Sequence, residues 1–240
     1  CATARSGAMS PALEARDRAV SLVQAVEGDR RTQSVIMLFV AQLAAMDGQV
    51  DRARQTYRTA RDMLDELGQG VLAASTSTDG GPVEVLAGDL DAAELMLRRD
   101  DAALEALGEN YLRSTVAGLL ARVLVMKGEF AEAERVAERT RSLAATDDVD
   151  AQVLWRSSLC RCYAATGRTD EAVALATEAV ALTDGVAAPI LRAEALADLA
   201  VVLAAANRAE DARARFSDAL AMHEAKGNRR GADELRGLAG

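Results

Sequence analysis

Five short signatures recur along this chain at nearly constant spacing. They are Gly48-Gln-Val-Asp-Arg-Ala53, Gly88-Asp-Leu-Asp-Ala-Ala93, Gly128-Glu-Phe-Ala-Glu-Ala133, Gly167-Arg-Thr-Asp-Glu-Ala172 and Asn207-Arg-Ala-Glu-Asp-Ala212. Each runs from a turn residue through an acidic first turn to an alanine five places on. Successive turn residues lie 40, 40, 39 and 40 places apart. A fixed period of this size comes from a stacked array of like supersecondary units, each burying its apolar face only against its neighbours.

Composition says what the units are made of. Aromatic residues are 3% of the chain and prolines number three, while half of the residues are apolar. Alanine, leucine and arginine dominate, which suits closely packed helices and gives little material for a sheet. Each signature lies between two stretches with helical spacing of small and apolar positions. The acids after each turn residue (Asp51, Asp91, Glu132, Asp170, Glu210) fall where a helix N-terminus favours negative charge. Gly68, Gly108, Gly185 and Gly227 read as stops of the second helices. The spacing predicts helical hairpins over 32–67, 70–107, 110–145, 149–184 and 188–226. Residues 10–27 read as half of an earlier unit ending at Gly28, and 229–238 as a terminal helix. The whole of 1–240 reads as one helical-repeat domain.

Three slots of the repeat hold small side chains. Seven places before the turn residue stand Ala41, Gly81, Ala121, Cys160 and Ala200; five after it, Ala53, Ala93, Ala133, Ala172 and Ala212; twelve after it, Ala60, Asp100, Thr140, Ala179 and Ala219. Small residues there let two helices approach closely. This pattern resembles the tetratricopeptide repeat, with a period stretched beyond its usual ~34 residues. The expected architecture is all-α, a right-handed tetratricopeptide-like superhelix of about five hairpins. Asp100 departs from the pattern. So does unit two, where Ser75-Thr-Ser-Thr-Asp-Gly-Gly-Pro82 interrupts the first helix and predicts a kink or a split.

The charge and motif content narrows function by exclusion. A formal net charge of −9, spread along the chain, argues against a broad basic patch for nucleic acid. No apolar run approaches the roughly 20 residues that span a bilayer, so no membrane segment is expected. The opening Cys1-Ala-Thr-Ala-Arg-Ser6 lacks the apolar core of a signal peptide. With no initiator Met and the repeat running by residue 12, the chain reads as a piece of a longer protein. Three cysteines fit neither a disulfide framework nor a zinc spacing, and Cys160 and Cys162 read as small core residues of a reduced, cytoplasmic protein. No phosphate-binding glycine loop is present. The single histidine, His223, is expected at a surface helix end, and Asp100-Asp101 and Asp147-Asp148 are expected to cap helix termini. No catalytic residue, metal or cofactor follows.

Candidate binding residues come from the first helices, which line the concave face of such a superhelix. The slot six before each turn residue holds Gln42, Pro82, Arg122, Arg161 and Val201. Arg122 and Arg161, from adjacent units, are placed to clamp a carboxylate or acidic peptide, or else to pair with Asp or Glu across units. Tyr111, Trp155 and Arg156 are further candidates, with Trp155 fitting an inter-unit packing role equally.

Longer strings carry a more specific resemblance. They are Val83-Glu-Val-Leu-Ala-Gly-Asp89, Ala106-Leu-Gly-Glu109, Asp147-Asp-Val-Asp-Ala-Gln-Val-Leu-Trp-Arg156, Ala195-Leu-Ala-Asp-Leu-Ala-Val-Val-Leu203 and Lys226-Gly-Asn228. From about residue 30 onward the chain resembles the C-terminal repeat region of actinobacterial signalling proteins that join class III adenylate/guanylate cyclases to a P-loop ATPase module. That resemblance implies a cytoplasmic, ATP-dependent parent and a non-catalytic region that binds a protein or peptide. Self-association and contact with upstream domains are further expectations. The rivals are a small-ligand sensor of an ATPase-containing transcriptional regulator, an enzyme built on an α-solenoid, and a structural spacer.

Overall fold

The repeat's turn residues take a backbone conformation that only glycine and asparagine enter readily. Gly48, Gly88, Gly128 and Gly167 have φ of 78–85°, and Asn207 has φ 59°. In each, the turn residue and its successor donate amides back to the last helical turn. Gly48 N donates to the Ala45 carbonyl and Gln49 N to the Ala44 carbonyl, both at 2.9 Å. This is the pairing that ends a helix cleanly. The chain then re-enters a helix within two residues.

The computed structural model of the chain describes residues 11–26 and 28–239. The expectations for the segment around Cys1, and for residues 10 and 27, lie outside them. The described residues fold as helices α1 (Ala12–Ala25), α2 (Arg30–Met46), α3 (Val50–Glu66), α4 (Gly70–Ala74), α5 (Ser77–Ala87), α6 (Leu90–Leu107), α7 (Asn110–Met126), α8 (Phe130–Leu143), α9 (Val149–Ala165), α10 (Thr169–Leu182), α11 (Pro189–Ala205), α12 (Ala209–Lys226) and α13 (Arg229–Ala239). The first helices of units one to five are α2, α4–α5, α7, α9 and α11; the second helices are α3, α6, α8, α10 and α12.

All three small slots lie at helix crossings. Ala41, Ala121, Cys160 and Ala200 are fully buried, as are Ala53, Ala93, Ala133 and Ala172. At the third slot Ala60, Asp100, Thr140, Ala179 and Ala219 are each 0% exposed. The largest continuous core runs from unit two to unit five and is built around Leu97, Val116, Leu120, Leu124, Leu159 and Val202. Cys160 and Cys162 are free thiols inside it.

Unit two is where the sequence expectation needs refining. The helix is split at Ser75–Thr76, and Gly80-Gly81-Pro82 continues inside α5. The glycines serve packing. A Cβ on Gly80 would lie 2.4 Å from the Tyr57 ring, and one on Gly81 would lie 3.3 Å from Leu97. The split also explains Asp100. Far from a helix terminus, this residue sits mid-helix in α6, and its carboxylate accepts the Ser77 amide at 3.0 Å. It thereby caps the restarted helix from a neighbouring one. Arg61 Nη1 completes the arrangement, donating to Asp100 Oδ1 (3.0 Å), the Ala73 carbonyl (2.8 Å) and Thr76 Oγ1 (2.7 Å). Asp101, also mid-helix, pairs instead with Arg113 at 3.0 Å and Arg139 at 2.7 Å. Asp148 does cap α9, accepting from the Ala151 amide.

The first helices pack on one another in order, α2 on α5, α5 on α7, α7 on α9 and α9 on α11. The curl is tight enough for α13 to meet α2. Arg230 Nε donates to the Leu86 carbonyl at 2.8 Å, and Arg229 lies 3.6 Å from Asp47. The first helices thus form an inner ring, with the second helices outside.

Candidate functional site

Side chains that point inward follow from the repeat. The slot nine before each turn residue holds Phe39, Asp79, Leu119, Ser158 and Asp198, one helical turn from the slot of Gln42, Pro82, Arg122, Arg161 and Val201. The two rows meet across helices. Gln42 Nε2 donates to Asp79 Oδ1 at 3.0 Å, from unit one to unit two. Arg161 Nη1 donates to Asp198 Oδ1 at 2.9 Å, from unit four to unit five. Arg122 Nη1 reaches past unit four to Asp198 Oδ2 at 3.2 Å. A contact that skips a unit requires these side chains to lie on the inside of the curve.

The electrostatics of this inner face are uneven. Burial works against the charge of Arg122, but Glu194, Asp198 and Glu234 hold its guanidinium firmly protonated. Glu194, 3.7 Å from Arg122, is raised above the usual carboxylate range by burial, against the pull of that arginine and with the help of Asp198 and Glu234. Asp79 has no such cation. Burial pushes its carboxyl up to about 7, opposed only by the Thr78 hydroxyl.

The sequence-derived candidates therefore separate. Arg122 and Arg161 do converge, but on Asp198 rather than on an open space between them. Gln42 faces Asp79. Trp155 is 6% exposed and donates its indole N–H to Gln152 Oε1 at 3.1 Å. Arg156 covers that ring at 4.0 Å and pairs with Glu178 at 3.0 Å. Tyr111 is 52% exposed at the start of α7, with the carboxylates of Asp148, Asp147 and Asp150 holding its hydroxyl protonated. Tyr111, Trp155 and Arg156 do not join the Arg122–Asp198–Arg161 cluster.

His223 requires correction. It is 5% exposed, not a surface group, and contacts the Asn228 amide at 3.0 Å. Burial first, and the charge of Arg122 second, lower its pKa to about 4, so it is neutral. Asp79, Asp198, Glu194 and Phe39 were missed by reading only one slot of each first helix; reading the slot one turn earlier finds Phe39, Asp79 and Asp198. Among the described residues no group of three or more His, Cys, Asp or Glu side chains is arranged to hold a metal, and no helix is long and apolar enough to cross a membrane.

The comparison with protein families matches the tetratricopeptide repeat at residues 115–139, 154–177 and 193–217. Each stretch runs from a first helix across the turn into its partner. The fold is a tetratricopeptide-type solenoid. Solved structures agree. BtubC from P. vanneervenii superposes with a TM-score of 0.60 at 18% identity, covering 89% of either chain. NprR, in complex with its cognate peptide NprX, gives a TM-score of 0.66 at 13% identity over 94% of this chain and 65% of that one. The putative kinesin light chain TPR-like repeats of Podosopora anserina give 0.54 at 17% identity, over 81% and 96%. These likenesses describe the fold. No curated protein matches the sequence.

Proposed function

We propose that this tetratricopeptide-type solenoid is a non-catalytic module that binds an extended peptide segment along its inner ring of first helices. The observation that carries the reading is the pair of inward rows, which place polar and apolar side chains at regular spacing along one curved face: Phe39, Gln42, Asp79, Leu119, Arg122, Arg161 and Asp198. Such a surface can read successive residues of an extended chain, with main-chain and side-chain contacts distributed over several units. NprR, a structure of the same fold, holds a peptide, which supports the reading.

The resemblance to repeat regions of cyclase–ATPase signalling proteins supports a finer proposal. In it the module senses a partner inside a larger cytoplasmic ATP-dependent protein, and the isolated chain neither hydrolyses ATP nor makes a cyclic nucleotide. The acidic partner anticipated from two free guanidiniums loses its basis, because Asp198 occupies both. The inner face carries Asp79, Glu194, Asp198 and Glu234 against Arg122 and Arg161, a balance that favours a cationic partner.

The test is photo-crosslinking with peptides selected from a random display library. A photoreactive residue at Leu119 on α7 should capture the selected peptides, and one at Leu95 on the outer helix α6 should not. Capture confined to the outer helices would contradict the reading.

A further inference from the structure

The aspartates at 79 and 198 occupy the same slot of the repeat, nine before the turn residue, yet differ in what neutralises them. Asp198 receives two guanidiniums, at 2.9 and 3.2 Å. Asp79 receives one neutral amide, from Gln42 at 3.0 Å, and a distant hydroxyl from Thr78 at 3.5 Å. The reason lies in the slot that feeds it. The residue of the preceding unit that reaches toward an inward aspartate is Arg161 for Asp198 and Gln42 for Asp79. The molecule thus shows, at Asp198, what an aspartate in this position accepts.

A second observation points the same way. Phe39 stands one helical turn before Gln42 on the same face of α2, and it is 50% exposed although its slot faces inward. An exposed aromatic ring one turn from Gln42, whose amide reaches a carboxylate that no cation compensates, supplies the two groups that hold a guanidinium, a ring for its face and a carboxylate for its N–H groups. Pro82, one turn after Asp79 on α5, adds an apolar neighbour that offers no hydrogen to the carboxylate.

We infer that Phe39, Gln42 and Asp79 form a receptor for one arginine side chain of a bound peptide. This rests on the peptide-binding reading and names the chemistry of one subsite. The guanidinium takes the place that Arg161 takes on Asp198, with the Gln42 carbonyl oxygen free to accept a further N–H. Lysine, a point charge without the flat fork, fits less well. No charged side chain of α2, α3, α6 or α7, the helices packed on α5, shifts the titration of Asp79, which burial raises against the Thr78 hydroxyl while the neutral Gln42 amide donates to it. An arriving cation therefore meets a carboxyl that ionises in its presence, and binding weakens on acidification from pH 8 to pH 6.

The experiment is an NMR titration of the full chain with N-acetyl-arginine N-methylamide, and with the isosteric citrulline derivative, which lacks the charge. The arginine probe should bind saturably at Phe39, Gln42 and Asp79, about tenfold more tightly than citrulline. Asp79→Asn, which keeps shape and fold, should abolish the difference between the probes; Phe39→Ala should weaken arginine binding by about threefold; added salt should weaken it further. Equal binding of both probes at the inner face would overturn the arginine site while leaving the peptide-binding reading standing. Arginine binding undiminished in Asp79→Asn, or no saturable shift at these residues, would overturn it as well. Failure of the peptide-binding reading itself would appear separately, as crosslinking confined to the outer helices.

Discussion

Units one and two and units four and five place an aspartate at the same point of the inner ring and treat it in opposite ways. At Asp198 the preceding unit supplies Arg161, and Arg122 reaches in from unit three. At Asp79 the preceding unit supplies Gln42, and burial acts unopposed by any cation. The backbone geometry repeats, so the difference lies in the side chains that arrive: the residue 37 places upstream is Arg161 in one pair and Gln42 in the other, and Arg122 adds a second guanidinium at Asp198. A repeat fixes where side chains meet, and the identity of the residue at each meeting decides whether the site is closed on itself or left open.

Asp100 extends the comparison away from the ring. It fills a slot that elsewhere holds alanine or threonine, and it is tolerated because Arg61, Arg99 and the Ser77 amide all donate to it. Asp100→Ala would leave the Arg61 guanidinium and the Ser77 amide buried with fewer partners, and should cost about 3–4 kcal/mol of unfolding free energy in urea. Thr140→Ala, at the same slot of unit three, should cost about 1 kcal/mol. Equal losses would mean that Asp100 is a filler and that the split of unit two does not depend on it.

Asp198→Ala should come next, losing about 2 kcal/mol, since Arg122 and Arg161 keep partial access to water. Asp79→Asn should act in the other direction. A carboxyl raised in the fold stabilises it below the unfolded value of 3.8 and withdraws that stability as pH rises through about 7. The Asn variant should therefore match the parent near pH 4 and exceed it by about 1 kcal/mol or more at pH 8, read by denaturation at both values. A loss of stability at pH 8 would show that Asp79 is already neutralised.

His223 supplies the smallest and opposite pH effect. Its pKa is lowered to about 4, so its contribution is present above the unfolded value of 6.5 and is lost as pH falls through about 4. His223→Gln should remove part of the acid-side slope, on the order of 1 kcal/mol between pH 6.5 and 4.5. An unchanged slope would place the histidine in water.

Much of this architecture was legible in the sequence because it depends on local necessities. The turn residues need a left-handed backbone, and the helix crossings need small side chains; both leave marks at a fixed period. What was not legible depends on partners brought together by curvature. Asp100 reads as an exception until Arg61, thirty-nine places before it, and the amide of Ser77 are seen to close on it. Arg122 and Arg161 read as a clamp until Asp198 is found between them, 76 and 37 places on. His223 reads as a surface cation because its burial comes from α13 and Asn228, beyond its own helix. Gly80 reads as a helix breaker, although what decides its presence is the Tyr57 ring 2.4 Å from where its Cβ would stand.

The central claim, that one residue in the preceding unit decides whether an inner aspartate is open or closed, has a direct test in Gln42→Arg. This substitution rebuilds at Asp79 the pairing that Arg161 makes with Asp198. The measurement is the carboxyl titration of Asp79 by carbon-13 NMR in the parent and the variant. The account predicts a value of about 7 in the parent and a fall to about 4 or below in the variant, with loss of arginine-probe binding. A parent Asp79 that titrates near 4, or a variant that stays near 7, would contradict it.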